Sequence, residues 1–252
     1  MTFRTSITGA VLVTGLVAYL VAVSIAVSAG GSAPDSGRAR QSLSFRDTGP
    51  AVAFLNDALT EAGFNADEGD VFGKKTRHAV YAFQKHHELP TSGEFTAFMW
   101  DLLDDPIELP RRQEADRVEV DLGKQVLYVV RSGEVVVILP VSSGSGDGYI
   151  GSNGRRQIAD TPEGVFKFQR RILGVRKAPL GTLYNPYYFR GGIAVHGSPS
   201  VPNYPASHGC IRTTLWDMEL LLDHLEIGQT IYVYGEQKRP PQDDATPRRR
   251  YV

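Results

Sequence analysis

The rhythm of apolar and polar positions changes twice along this chain. Its first stretch has no rhythm: from Ile7 to Ala29 no charge appears, and Val, Leu, Ala and Ile dominate. As a helix that run would reach about 35 Å, enough to cross a hydrocarbon core, so residues 1–29 read as a transmembrane signal anchor. Val27-Ser28-Ala29 also offers a small-residue cleavage site, which keeps a secreted form open. Gly30 to Arg40, rich in Gly, Ser and Ala, opens a flexible linker over 30–48.

Helical spacing follows. Val52, Leu55, Leu59 and Ala62 share one face, with Pro50 suited to a first turn and Gly63 to a stop. Thr76, Ala79, Val80 and Phe83 make a second such face, and Phe95, Phe98, Met99 and Leu102 a third. A small three-helix domain is therefore expected over 49–104. His78, His86 and His87 lie in or just after its second helix. His87-Glu88-Leu89-Pro90 lacks the second histidine of a zinc-protease pattern and Pro90 ends the helix, so these imidazoles read as solvated surface groups and no metal is expected.

Beyond a linker at 105–115, containing Pro106 and Pro110, the period falls to two. Val118, Val120 and Leu122 alternate with charged residues, and runs at 125–131 and 134–141 flank the Ser132-Gly133 turn. Further strand-like runs cover 164–169, 187–190, 193–196 and 229–234. One amphipathic helix fits 214–225, with Thr214 and Asp217 spaced to cap it. The expected fold class is α+β and multidomain: helical domain first, then a strand-dominated sandwich over 116–235 with one main helix. Gly146-Asp147-Gly148-Tyr149-Ile150-Gly151 formally fits a nucleotide-binding glycine pattern, yet Ser152-Asn153-Gly154 continues the loop where a helix should open. A mobile loop bordering a site is expected instead.

Composition narrows the function. The 252 residues are 42% hydrophobic and 22% charged, with a formal net charge of -1, which argues against a nucleic-acid partner. Arg248-Arg249-Arg250 sits in a Pro- and Asp-containing tail at 236–252, read as solvated and disordered.

The chain has a single cysteine, Cys210, so no intrachain disulfide can form. It stands in Ser207-His208-Gly209-Cys210-Ile211-Arg212, with His196-Gly197 fourteen residues upstream. A thiol is mostly protonated at neutral pH, so a cysteine nucleophile needs a base or a positive field. Three sources are in reach: a helix opening near Thr213, the Arg212 charge, and either His196 or His208. In an extended segment His208 and Cys210 would project to one side, so spacing leaves the two histidines as rivals. The Cys210 amide near a helix start is a candidate oxyanion donor, and Gly197 and Gly209 permit close backbone approach. The chemistry implied is acyl transfer through a thioester.

Two resemblances sharpen this reading. Phe72-Gly73-Lys74-Lys75-Thr76, Ala79-Val80 and Phe83-Gln84 resemble the peptidoglycan-binding repeat, although Gly69-Asp70 stands where that family usually has Asp-Gly. The segment Val195-His196-Gly197 with Ser207-His208-Gly209-Cys210-Ile211-Arg212 resembles the L,D-transpeptidase (YkuD-type) catalytic domain. Pro140-Val141-Ser142-Ser143-Gly144, Thr161-Pro162-Glu163-Gly164 and Gly228-Gln229-Thr230-Ile231-Tyr232-Val233 fall in that family's order.

The resemblance implies Cys210 as nucleophile and His196 as general base, oriented by the backbone carbonyl of Gly197. It places Ser207, His208 and Gly209 around the oxyanion hole, and Arg212 toward a substrate carboxylate. It also implies peptidoglycan stem tetrapeptides as substrates, 3→3 cross-links as products, carbapenem β-lactams as inhibitors, and no cofactor. Anchor, wall-binding domain and thiol acyltransferase together place the catalytic domain outside the membrane, facing the wall. Water as acceptor would give an L,D-carboxypeptidase, and another amine a protein-to-wall attachment enzyme. A non-catalytic wall-binding scaffold and an unrelated cysteine protease are the readings from other classes.

Overall fold

The apolar runs of the second half fold into two stacked sheets, and the helices of the first half cover the outer face of one of them. The computed structural model describes residues 40–151 and 154–236. The expected membrane anchor and nearly all of the expected C-terminal tail lie outside these. No helix among the described residues is long and apolar enough to cross a membrane.

In chain order the elements are α1 (Pro50–Glu61), α2 (Lys74–His86), a 3₁₀ turn (Ala97–Leu102), β1 (Arg117–Asp121), β2 (Val126–Arg131) and β3 (Glu134–Pro140). Then come β4 (Gly148–Ile150), β5 (Arg156–Ile158), β6 (Gly164–Lys167), β7 (Arg170–Arg171), β8 (Val175–Ala178) and β9 (Gly181–Arg190). The chain continues through β10 (Ile193–Gly197), β11 (Ile211–Thr213), α3 (Leu215–Leu222) and β12 (Thr230–Tyr234). One sheet runs β3-β2-β1-β12-β6; the other runs β11-β10-β9-β7, with β8 also on β9.

Alternation along β2 and β3 explains how one sheet serves two cores. Leu127, Val129, Val137 and Leu139 point inward, where they meet Tyr187, Phe189, Val195 and Ile211 of the other sheet and Met218 and Leu221 of α3. The intervening Val126, Tyr128 and Ile138 point outward into the core of the helical region, among Leu55, Leu59, Phe64, Phe72 and Phe83. A strand buried on both faces should read as a continuous apolar run, as Val126–Val130 does.

Polar contacts fix the helical region in place. Ile138 N donates to Gly63 O at 2.8 Å. Lys85 Nζ donates to Val141 O at 3.1 Å, Lys124 Nζ to His86 O at 2.8 Å, and His86 Nδ1 lies 2.9 Å from Tyr128 Oη. Asn65 Nδ2 donates to Asp217 Oδ1 at 2.7 Å, and the His78 ring meets Trp216 edge-on at 5.3 Å. Ile107 and Leu109 of the linker pack on the same core, so the linker lies along the protein rather than swinging free.

Four expectations need correction. The third helix is only the 3₁₀ turn: Phe95 is withdrawn from it by pairing with Leu43, and Phe98 is exposed while Met99 and Trp100 are buried. That pairing also folds the end of the expected flexible linker, since Leu43 is 3% exposed. The glycine-rich loop contains a hairpin, β4 paired with β5. The histidines of α2 are not solvated, because that helix face meets the sheet: His86 is 9% exposed, and buried Nδ1 of His78 and Nε2 of His87 have no partner.

Burial holds His78 and His86 down at about 4, and lowers the remaining four histidines as well. The unfolded chain, with ordinary values near 6.5, therefore binds more protons than the folded one across this window. Stability from these groups is complete above about pH 6.5 and is lost as pH falls toward 4. The urea midpoint should drop steadily from pH 7 to pH 4.5, and His78→Gln/His86→Gln should flatten that slope. A midpoint constant over the range would contradict the burial of these rings.

Candidate active site

Parallel pairing of β10 with β11 brings together the two segments that fourteen residues separate. Val195 lies opposite Ile211 and His196 opposite Arg212, so Cys210, one residue before β11, stands beside Ala194. On its other edge β10 pairs with β9, with Ala194 opposite Tyr188 and an irregularity between Val195 and Gly197. Such breaks in register re-aim side chains, here at His196.

The cysteine loop is braced from several directions. Ser207 Oγ donates to Cys210 O at 2.5 Å and accepts from Gly209 N at 3.0 Å. Thr161 Oγ1 donates to Gly209 O at 2.9 Å and accepts from Gly144 N at 2.8 Å. Gln125 donates to Ser143 Oγ and accepts from Ser143 N, while Ser143 O accepts the amides of Ala206 and Ser207. Gly209 has φ +124°, and a Cβ there would lie 2.7 Å from Asp160 O, so no other residue fits this turn. The brace residues Gln125, Ser143 and Thr161 sat in quoted motifs or strand ends without a role in the sequence reading; their signal is hydroxyl and amide side chains inside otherwise apolar runs.

His196, Ser207, His208, Cys210 and Arg212 all line one cleft of about 750 Å³. Gly197 stands behind it, packed against Met218 and Tyr184, and its carbonyl lies 2.8 Å from His196 Nδ1. A carbonyl can only accept, so the neutral ring carries its proton on Nδ1 and leaves Nε2 as a bare acceptor. Burial holds His196 down at about 4, against the pull of the Gly197 carbonyl. His196 is thus an unprotonated base at neutral pH.

Cys210 is half-buried, packed against Leu183, Tyr188 and Ala194, with Sγ 3.7 Å from Gly192 O. Burial pushes its thiol up, and the Ala194 backbone and Arg212 charge only partly offset this. The expected helix opens at Leu215, with β11 between it and the thiol. The α3 terminus faces Asp217 instead, whose carboxylate accepts from Thr214 Oγ1 at 2.6 Å. The surroundings of Cys210 and of His196 thus both favour the uncharged form.

His208 lines the same cleft but has different surroundings. The turn at Gly209 breaks the extended alternation that would have aligned His208 with Cys210. His208 is exposed and its ring lies 4.7 Å from that of Tyr149 in β4. Gly209 shapes the turn, and its N–H is engaged by Ser207 Oγ at 3.0 Å. Arg212 is held by paired backbone bonds with Ser142 at 3.0 Å. No cluster of His, Cys, Asp or Glu suited to a metal ion occurs among the described residues.

A half-buried thiol, an imidazole held by a backbone carbonyl and a braced turn thus meet in one cleft of a two-sheet sandwich. The L,D-transpeptidase catalytic domain (YkuD) matches residues 115–233, and the peptidoglycan binding domain matches 48–103. The L,D-transpeptidase of Xylanimonas cellulosilytica is 37% identical, with a TM-score of 0.70, and the match covers 81% of this chain and 100% of that one. The chain belongs to the L,D-transpeptidase family, with a peptidoglycan-binding domain ahead of its catalytic domain. An L,D-transpeptidase of Stackebrandtia nassauensis is 21% identical over 78% of this chain and 96% of its own, with a TM-score of 0.45. One of Mycobacterium smegmatis is 22% identical over 48% and 58%, with a TM-score of 0.39. No functionally curated protein matches.

Proposed function

We propose that this protein forms 3→3 peptidoglycan cross-links through a thioester on Cys210, outside the membrane to which its N-terminal segment anchors it. The carrying observation is the His196 Nδ1–Gly197 O contact of 2.8 Å, which directs the ring's basic nitrogen to be the proton acceptor in the cleft that holds Cys210.

The steps balance without a cofactor. Sγ attacks the carbonyl of the third stem residue as its proton passes to His196 Nε2. The Cys210 amide and His208 stabilise the resulting oxyanion. The C–N bond to the terminal D-Ala breaks, and His196 returns the proton to the departing amine. The side-chain amine of a second stem then attacks the thioester, giving its proton through His196 to sulfur. A neutral resting pair suits this sequence, since the proton moves as the S–C bond forms. Ser207 and Thr161 hold the turn, and Arg212 faces the substrate carboxylate.

The test uses purified protein and disaccharide-tetrapeptide. Dimers linked 3→3 and free D-Ala should form, and a carbapenem should add its mass to Cys210. His196→Gln should lower the rate about 10²- to 10⁴-fold, as loss of a general base does, and by more than His208→Gln, whose side-chain amide can still donate to the oxyanion beside the Cys210 amide. Tripeptide without dimer would convert the assignment to L,D-carboxypeptidase. The reverse ranking of the two variants would exchange the histidine roles.

A further inference from the structure

One buried cation of the helical region has its acceptor outside that region. Lys85, on α2, is 6% exposed. No carboxylate lies within ion-pair distance of it among the described residues, and burial brings its ammonium down to about 7. A buried amine without a counter-charge costs the fold stability that an apolar side chain of similar size would not. The neighbouring Gln84 is engaged within the helical region, on Ser92, Gly93 and Glu94. Lys85 Nζ instead donates to the carbonyl of Val141 at 3.1 Å, in the segment that follows β3.

That carbonyl heads the floor of the cysteine loop. Val141 N donates to Gln125 O at 2.9 Å, so the residue is held by the sheet on one side and by α2 on the other. Ser142 exchanges two backbone bonds of 3.0 Å with Arg212, two residues past the thiol. Ser142 Oγ donates to Tyr204 O at 2.8 Å. Ser143 O accepts the amides of Ala206 and Ser207 at 2.9 Å each, and Gly144 pairs with Ser207. Residues 142–144 therefore grip the loop both before and after Cys210. A rotation of the Val141 peptide would pass directly into those contacts.

We infer that Lys85 is a positioning residue of the acyl-transfer reaction, holding from the helical region the floor on which the Cys210 loop rests. This rests on the function proposed above. The link runs from Nζ to the Val141 peptide, along the chain to Ser142 and Ser143, and across backbone bonds to Arg212 on one side of the thiol and Ser207 on the other. Lys85 does not line the cleft, so it acts on the direction of the sulfur and not on the substrate. Attack geometry is sensitive to small displacements of the reacting atom, and a remote support can set it.

The experiment compares wild type, Lys85→Met and Lys85→Arg in the full protein, below the melting temperature of each. Lys85→Met fills the site without a donor. It should lower kcat for 3→3 dimer formation about tenfold, the effect of one hydrogen bond from a charged group, with KM unchanged. Iodoacetamide should meanwhile alkylate its Cys210 faster than in wild type, because a loosened loop exposes a half-buried thiol. Transfer and alkylation moving in opposite directions marks a lost direction of the sulfur; a residue that merely stabilises the fold would shift the urea midpoint and leave both rates alone. Lys85→Arg, which keeps a donor, should return both rates toward wild type. If Lys85→Met does not fold, Lys85→Gln, too short to reach the carbonyl, takes its place with the same expectations. Wild-type kcat and wild-type alkylation in the folded variant would overturn the inference and leave the function standing. If wild type forms no dimer, the function fails, and the alkylation rates alone judge the contact.

Discussion

Cys210→Ala should lower acyl transfer by about 10⁴-fold or more while the fold stays intact, because the bond to substrate is made by that sulfur alone. Two serine hydroxyls of the cleft are already engaged. Ser207 Oγ is tied between Cys210 O and Gly209 N, and Ser198 Oγ donates to Ser200 O at 3.0 Å. Stability should change little, by about 1 kcal/mol, since one half-buried sulfur at the margin of a small cluster is removed. Mass spectrometry of the protein after tetrapeptide or carbapenem exposure, together with a urea melt, separates the two effects. Turnover by the alanine variant at even a tenth of the normal rate would end the covalent mechanism. Because the resting thiol is protonated, the wild type should also resist indiscriminate alkylation at neutral pH better than an exposed thiolate would.

Deleting the helical region should have the second large effect, on stability rather than chemistry. A chain beginning at residue 115 exposes Val126, Tyr128 and Ile138, each now no more than 1% exposed. At roughly 1.5–3 kcal/mol for each fully buried apolar side chain, the loss is about 5 kcal/mol or more. That equals a large part of the stability of an ordinary domain, about 5–15 kcal/mol. The cut also removes the partners that Asn65, Lys85 and His86 give to Asp217 Oδ1, the Val141 carbonyl and the Tyr128 hydroxyl. The shortened protein is expected to be poorly soluble and to bind a dye for exposed apolar surface. If it melts at the same urea concentration as the longer chain, the shared core contributes nothing. The helical region and the catalytic sheet thus share one core.

Much of this architecture was legible in local pattern. The Pro50 start of α1, the alternation of β1 and the Thr214–Asp217 cap of α3 depend on near neighbours, and each stands where the spacing puts it. The Phe95–Leu102 segment falls short of a full helix because its first apolar position, Phe95, pairs with Leu43, a partner about fifty residues away. The unbroken apolar run Val126–Val130 did carry a signal of two-faced burial, and only the partner on the second face was absent from it. Lys85 was invisible as a support of the cysteine loop, since nothing in sequence lays α2 against the end of β3.

The chain alone determined which atoms are available for chemistry: one sulfur, two imidazoles near it, and the motif that names the family. Only the folded arrangement gives the two imidazoles different surroundings, His196 buried on β10 against the Gly197 carbonyl and His208 exposed beside Tyr149. The physical reason is that pKa, direction and access are properties of surroundings assembled from remote segments. A carbonyl behind His196, an apolar cushion under Cys210 and a strand between the thiol and α3 have no signature in local spacing. Should the sulfur prove remote from His196 in solution, the order of events proposed here would have to be abandoned.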